Sequence, residues 1–285
     1  MARWPEPASC WSSFLTTDAP GRVRVPDMIK LYAWTDWPNF GDALSRDVVA
    51  WATQRRIQLV PGDETGKLLA VGSVLQHARS GDVIWGTGVN PYDYQDFWLN
   101  YKKATLSLHV LAVRGPITRD VLIARQIACP DVFGDPAILL PLVYPQSVTG
   151  GRGGLLIPHL RDYPRFNADS AFRRGLRIVN PASDWREVVD QIVCAEFVVS
   201  SSLHGIIVAE AYGVPAIWFR PSQGEGYLKY QDYYGSTERA PAPVYELERC
   251  LKSSPKTPPD YTQMRKALVA ALDMTLIDAV CGIPD

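Results

Sequence analysis

Residues 197–219 read FVVSSSLHGIIVAEAYGVPAIWF, and the reading of this stretch decides the fold. Phe197-Val198-Val199 is a short apolar run of the kind that forms a buried strand. Ser200-Ser201-Ser202 follows, then Leu203-His204-Gly205 opens an apolar segment that ends at Tyr212-Gly213. A second apolar run occupies Pro215 to Phe219. The order is strand, turn, helix, strand, with Gly213 placed to close the helix. The serines can cap that helix, and its free N–H groups offer an anion site. In open α/β sheets ligands gather at the carboxyl ends of strands, so His204 stands where a bound phosphate or carboxylate would lie. The alternative is a partly buried histidine satisfied by a backbone carbonyl.

Working outward, the whole chain is that of a globular protein. Its 285 residues suffice for two domains, and 47% hydrophobic with 21% charged residues is ordinary for a folded chain. A formal net charge of −1 gives none of the basic footprint that nucleic-acid binding leaves, so no nucleic-acid partner is expected. Five cysteines (10, 129, 194, 250 and 281) are dispersed without a CxxC pair, which suits reduced thiols rather than a metal site or disulfide framework. There is no basic n-region followed by an apolar h-region, and no apolar run reaches spanning length. A cytoplasmic location is the expectation. Nine tryptophans can pack a core, stack on sugar rings or rest at a membrane interface, and composition does not choose among these.

Before the central unit, residues 1–27 are rich in Pro, Ser and Trp without periodicity and read as an irregular arm. Met28 to Trp34 is strand-like, and Trp37 to Ser45 is a glycine turn feeding a helix. Asp42 at that helix start is either its N-cap or a carboxylate aimed at a substrate hydroxyl. Further strand-like runs, Leu68 to Val71, Val83 to Trp85 and Leu108 to Val113, end in Gly72-Ser73, Gly86-Thr87-Gly88-Val89-Asn90 and Arg114-Gly115-Pro116. Arg114 thus falls at a strand's carboxyl end, able to grip a carboxylate or phosphate in bidentate fashion. Residues 144–154 carry Pro, Ser, Thr and four glycines and form the best boundary in the chain. The second half restarts with Gly154 to His159, a strand ending at a histidine, and Lys229 lies among tyrosines after the central unit. The expected organisation is the arm 1–27, a first Rossmann-like domain 28–146, a second 154–255, and a C-terminal helical segment 256–285.

Four motifs in order give a more specific signal: Asn39-Phe40-Gly41-Asp42, Arg114-Gly115-Pro116-Ile117-Thr118, Gly134-Asp135-Pro136-Ala137 and Ser201-Ser202-Leu203-His204-Gly205. Their order and spacing resemble the polysaccharide pyruvyl transferase family, the bacterial exopolysaccharide ketal-pyruvate transferases in particular. The resemblance implies an α/β protein of two Rossmann-like domains facing a cleft, a GT-B-like fold. It implies phosphoenolpyruvate as donor, a polyprenyl-diphosphate-linked oligosaccharide as acceptor, and neither metal nor other cofactor. Under that reading His204 is the acid or the main phosphate ligand, and Asp42 receives the acceptor hydroxyl's proton. Arg114, His159, Lys229, Ser201, Ser202 and Gly205 form the donor side; Asn39, Gly41, Trp37, Gly88 and Asn90 form the acceptor side. Many family members carry an arginine where this chain has Ser202, so the donor's charge must be met by Arg114, His159 and Lys229. A lipid-linked acceptor would bring the enzyme to the inner membrane's cytoplasmic face, where the Trp-rich arm or Arg55 and Arg56 could dock. Two other readings are a GT-B glycosyltransferase using a nucleotide sugar and a non-catalytic glycan-binding protein.

Overall fold

The computed structural model describes residues 28–90, 106–168, 175–221 and 226–283. The arm 1–27, the aromatics of 91–101 and most of the loop after Phe219 lie outside the described residues. The first sheet contains β1 (Met28–Tyr32), β2 (Arg56–Leu59), β3 (Leu68–Leu69), β4 (Val83–Trp85) and β5 (His109–Ala112), in the order β2-β1-β3-β4-β5. The second contains β6 (Gly154–Ile157), β7 (Arg177–Ile178), β8 (Phe197–Ser200) and β9 (Ala216–Trp218), in the order β7-β6-β8-β9. Every pairing within both sheets is parallel. Parallel strands are covered on both faces, which is why β3 and β4 read as unbroken apolar runs and are buried throughout. The protein is therefore mixed α/β with two parallel sheets. Strand β2 gave no such signal, because only Ile57 of its four residues is buried at this sheet edge.

Helices α1 (Phe40–Thr53), α2 (Pro116–Ile123), α3 (Leu140–Val143), α4 (Tyr163–Ala168) and α5 (Trp185–Val193) precede the central unit. After β8 come α6 (Leu203–Ala211), α7 (Leu228–Ser236), α8 (Leu247–Lys252), α9 (Thr262–Ala270) and α10 (Met274–Cys281). Stretch 197–219 folds as β8-α6-β9, as its pattern predicts. Helix α6 is buried on every side, and a helix apolar all round belongs inside a core. It lies against the helices of the first half, so Leu44, Val48, Ile157, Val198, Ile206 and Val208 belong to one continuous apolar cluster. The seam between the halves is stitched by polar contacts too. Phe40 N–H donates to Pro181 O at 2.9 Å and Trp185 Nε1 to Asp47 Oδ2 at 2.8 Å.

The C-terminal segment crosses back to the first sheet. Ile29 bridges Gly282, Arg55 pairs with Asp278 at 2.8 Å, and the Trp85 indole donates to Leu268 O at 2.9 Å. That last bond places Trp85 in the core, fully buried, and removes it from the tryptophans that could face a sugar. Buried Glu210 of α6 accepts from Tyr233 at 2.6 Å, Tyr261 at 2.9 Å and both terminal nitrogens of Arg239 at 2.8 Å. A carboxylate so saturated is satisfied inside the protein and ties α6, α7 and the C-terminal segment together.

Candidate active site

The loops that leave the strands of both sheets converge on a cleft of about 690 Å³. The first half supplies Trp34, Trp37, Asn39, Asp42, Ser73, Val74, Gln76 and Asn90. The second supplies His159, Leu160, Arg161, Ser202, Leu203, His204 and Lys229.

Asn39 is the N-cap of α1, accepting from Gly41 N–H at 3.2 Å, while its amide donates to Asp42 Oδ2 at 2.7 Å. Asn39, not Asp42, therefore caps the helix. Asp42 sits in the first turn with its carboxylate on the cleft wall. Burial raises its pKa above the usual carboxylate value, against the opposing pull of His204, Lys229 and the Asn39 hydrogen bond. A carboxylate of raised basicity is suited to taking a proton from a hydroxyl.

His204 lies on the first turn of α6 and is 8% exposed. Its Nε2 is buried with no hydrogen-bond partner among the described residues, facing Asp135 Oδ2 at 3.8 Å. The backbone-carbonyl partner that a merely structural histidine would have is missing. Asp135 itself is fully buried, accepting from Gly72 N–H at 3.1 Å and Ala137 N–H at 3.0 Å, so its position is fixed. The His204 side chain sits directly against Gly41, where a Cβ would stand 2.0 Å from Nδ1. Gly41 is thus a seat for the histidine, with no side chain to contact an acceptor. Gly41→Ala is expected to push the ring out of the cleft and cut turnover at least tenfold, while far-ultraviolet circular dichroism stays unchanged. Unaltered turnover in that variant would show that the ring's place is immaterial.

Lys229, from α7, faces the same cleft, and desolvation followed by Arg114 lowers its pKa to about 7. His159 follows β6. Its Nδ1 accepts from Arg161 N–H at 3.2 Å, which leaves Nε2 as the protonated nitrogen of the neutral ring. Burial, with Lys229 second, lowers its pKa to about 4. His159 is therefore neutral near pH 7, and the expectation that it serves as a cation is corrected. Arg161, two residues on, lines the cleft and carries the charge there.

The serine cluster divides its labour. Ser200 Oγ accepts from Ser202 N–H at 3.0 Å, and Ser201 Oγ accepts from His159 N–H at 2.9 Å and donates to Asp162 at 2.6 Å. Both stitch the loops of β6 and β8 together. Ser202 occupies the N-cap position of α6 without making a capping bond, so none of the three caps the helix, contrary to the sequence reading. The first amides of α6 are left for another acceptor. Gly205 packs on the Oγ of Ser200, and Gly88 packs on the guanidinium of Arg114; neither lines the cleft.

Arg114 is the largest departure. It is fully buried, with Nε 3.0 Å from Asp232 Oδ2, Nη1 donating to Ser73 Oγ at 2.5 Å and Nη2 to Val89 O at 2.9 Å. A guanidinium so engaged cannot also clamp a donor, and the direct donor contact expected of it is withdrawn. It holds the cleft wall from behind. Trp37, Asn39, Asp42, Asn90, His159, Ser202, His204 and Lys229 do meet at the cleft. The sequence reading placed Ser73 at a strand end and Asp135 in a motif but gave neither a role in the site, and it did not single out Gln76 or Arg161. Arg161 had one available signal, since it follows a strand-ending histidine.

The cleft thus gathers the start of α6, Lys229, Arg161, His204 and Asp42 where loops leave the strands of two parallel sheets. The polysaccharide pyruvyl transferase family model matches residues 38–223, and the chain belongs to that family, which makes it a transferase. A comparison with curated proteins gives no significant match. Among solved structures, a functionally uncharacterized protein from Klebsiella pneumoniae is 14% identical, covering 74% of this chain and 89% of its own at a TM-score of 0.46. No helix among the described residues is long and apolar enough to cross a membrane.

Proposed function

We propose that the protein transfers pyruvate from phosphoenolpyruvate to two hydroxyls of one sugar in a lipid-linked repeat unit, forming a cyclic ketal and releasing phosphate. The observation that carries this reading is the buried Nε2 of His204, without a hydrogen-bond partner among the described residues and set between Asp42 and Asp135, in a cleft that also holds Lys229 and Arg161. Lys229, Arg161 and the amides at the start of α6 hold the donor's phosphate and carboxylate. They take over the charge that the family's usual arginine would carry at Ser202. His204 protonates the methylene carbon, or holds the phosphate while the Lys229 ammonium delivers that proton, and C2 becomes oxocarbenium-like. One sugar hydroxyl attacks C2, giving its proton to Asp42. The C2–O bond to phosphate then breaks, and the second hydroxyl closes the ketal while its proton leaves with phosphate. Each of the two hydroxyl protons is thereby accounted for, one replacing the proton delivered to the new methyl group. Alignment of both reactants across the cleft can contribute on the order of 7–11 kcal/mol.

The test is isothermal titration with phosphoenolpyruvate, followed by phosphate release with and without a pyranoside bearing free 4- and 6-hydroxyls. Acceptor-dependent release supports the reading; binding of a nucleoside diphosphate in place of phosphoenolpyruvate overturns it. Because Lys229 titrates near 7 and an anion prefers its charged form, donor affinity is expected to fall as pH rises through about 7. The decline approaches tenfold per pH unit where this one proton is taken up on binding. Lys229→Met should bind weakly and lose that dependence. A wild-type affinity that stays flat between pH 6 and 9 would remove Lys229 from the donor site.

A further inference from the structure

Beside the cleft lies a second depression of about 580 Å³, and Trp34 lines both. Its aromatic wall is a stepped group in which the His77 ring lies 4.6 Å from Tyr32 and 6.0 Å from Trp34, centroid to centroid. Its charged groups are Asp36, Asp63 and Arg79. Flat aromatic faces suit the C–H faces of a pyranose, while carboxylates and a guanidinium suit its hydroxyls. The two carboxylates are exposed and outnumber the guanidinium, so a phosphate or nucleotide diphosphate would meet repulsion there. A lipid tail would have to strip water from both carboxylates. A neutral polyhydroxyl group incurs neither cost.

The two depressions are also electrically in touch. The Tyr32 phenol responds to the charges of Asp36 in the groove and Asp42 in the cleft, after the larger effect of burial, and is pushed up to about 12. Tyr32 therefore keeps its proton at working pH and can donate to a sugar oxygen.

We infer that this groove binds the sugar adjoining the one that is modified, so that the acceptor is recognised as at least a disaccharide with its linkage passing Trp34. The identity of the first ring rests on the function proposed above; the groove's affinity for a second ring does not.

Saturation-transfer NMR separates the two. The probes are methyl glycosides of glucose, galactose and mannose and their β-1,4-linked disaccharides, with wild type and the Asp36→Ala/Asp63→Ala variant. Wild type is expected to saturate both rings of at least one disaccharide and bind it tenfold or more tightly than its monosaccharide. The variant should lose saturation of the second ring while keeping that of the first. A second ring left unsaturated in every disaccharide, or unchanged in the variant, overturns the groove assignment. If both rings are saturated but no pyruvate is transferred from phosphoenolpyruvate to any of these acceptors, the groove stands and the transfer reading fails.

Discussion

Replacing His204 by alanine is expected to lower turnover by roughly 10²–10⁴ while the thermal midpoint stays close to that of wild type. The two halves of that expectation have separate origins. Removing a side chain whose Nε2 has no hydrogen-bond partner among the described residues breaks no hydrogen bond at that atom, so the fold loses packing but gains no new orphaned donor. The chemistry loses the one imidazole that stands at the start of α6 between two carboxylates. The two candidate roles separate kinetically. If His204 delivers the proton, turnover collapses and the dissociation constant for phosphoenolpyruvate changes little. If it holds the phosphate, affinity weakens with it, and His204→Gln should restore part of the binding. Near-ultraviolet circular dichroism verifies the packing in each variant. A loss under tenfold in a folded His204→Ala protein would falsify both roles.

The central unit was legible because its signals are local. An apolar run, a glycine stop and a second apolar run specify β8-α6-β9 whatever surrounds them, and β1, β4, β6 and α5 follow from the same kind of pattern. Strand β2 was not legible, since an edge strand with one buried residue carries no alternation. The site was half legible for a related reason. A motif fixes where a residue sits along the chain, and His204, Asp42, Asn39 and Lys229 do reach the cleft. What a residue faces is decided by elements remote in sequence. Arg114 is separated from Asp232 by 118 positions, and nothing near Arg114 announces the carboxylate that claims it. The same holds for Asp135, which is brought to His204 by the packing of α6 against the first half. His159 was misjudged in charge rather than place, because its neutrality comes from burial and Lys229.

Arg114→Ala is expected to destabilise the protein by about 3–5 kcal/mol, a cost set by the charge left behind rather than by the bond removed. Asp232 has no exposure of its own and would keep its hydrogen bonds from Thr118 N–H at 2.9 Å and Thr118 Oγ1 at 2.6 Å while losing its only ion-pair partner among the described residues. Those bonds matter to α2. Its N-cap is Gly115, which offers no side chain, so Asp232 reaches across from α7 to serve as the cap and to meet the positive end of the helix. Gly115 has to be glycine for this, since a Cβ there would lie 1.9 Å from the Asp232 carbonyl oxygen. The brace reaches the chemistry at two points. Ser73, a cleft residue, is held by the guanidinium, and Lys229 stands one turn before Asp232 on α7. Arg114→Lys keeps the charge but lacks the fork that engages Asp232, Ser73 and Val89 together, and should recover only part of the stability. Arg114→Leu/Asp232→Leu removes both charges and is expected to be closer to wild type in urea than Arg114→Ala is. In a folded variant with no cation at position 114, Lys229 loses a positive neighbour that, after burial, depresses it, so its titration moves above 7. The pH at which phosphoenolpyruvate affinity declines should move up with it. If urea midpoints fall as stated but that pH does not move, Arg114 braces the fold alone; if both shift, one buried ion pair sets the stability of the seam and the charge state of the donor site.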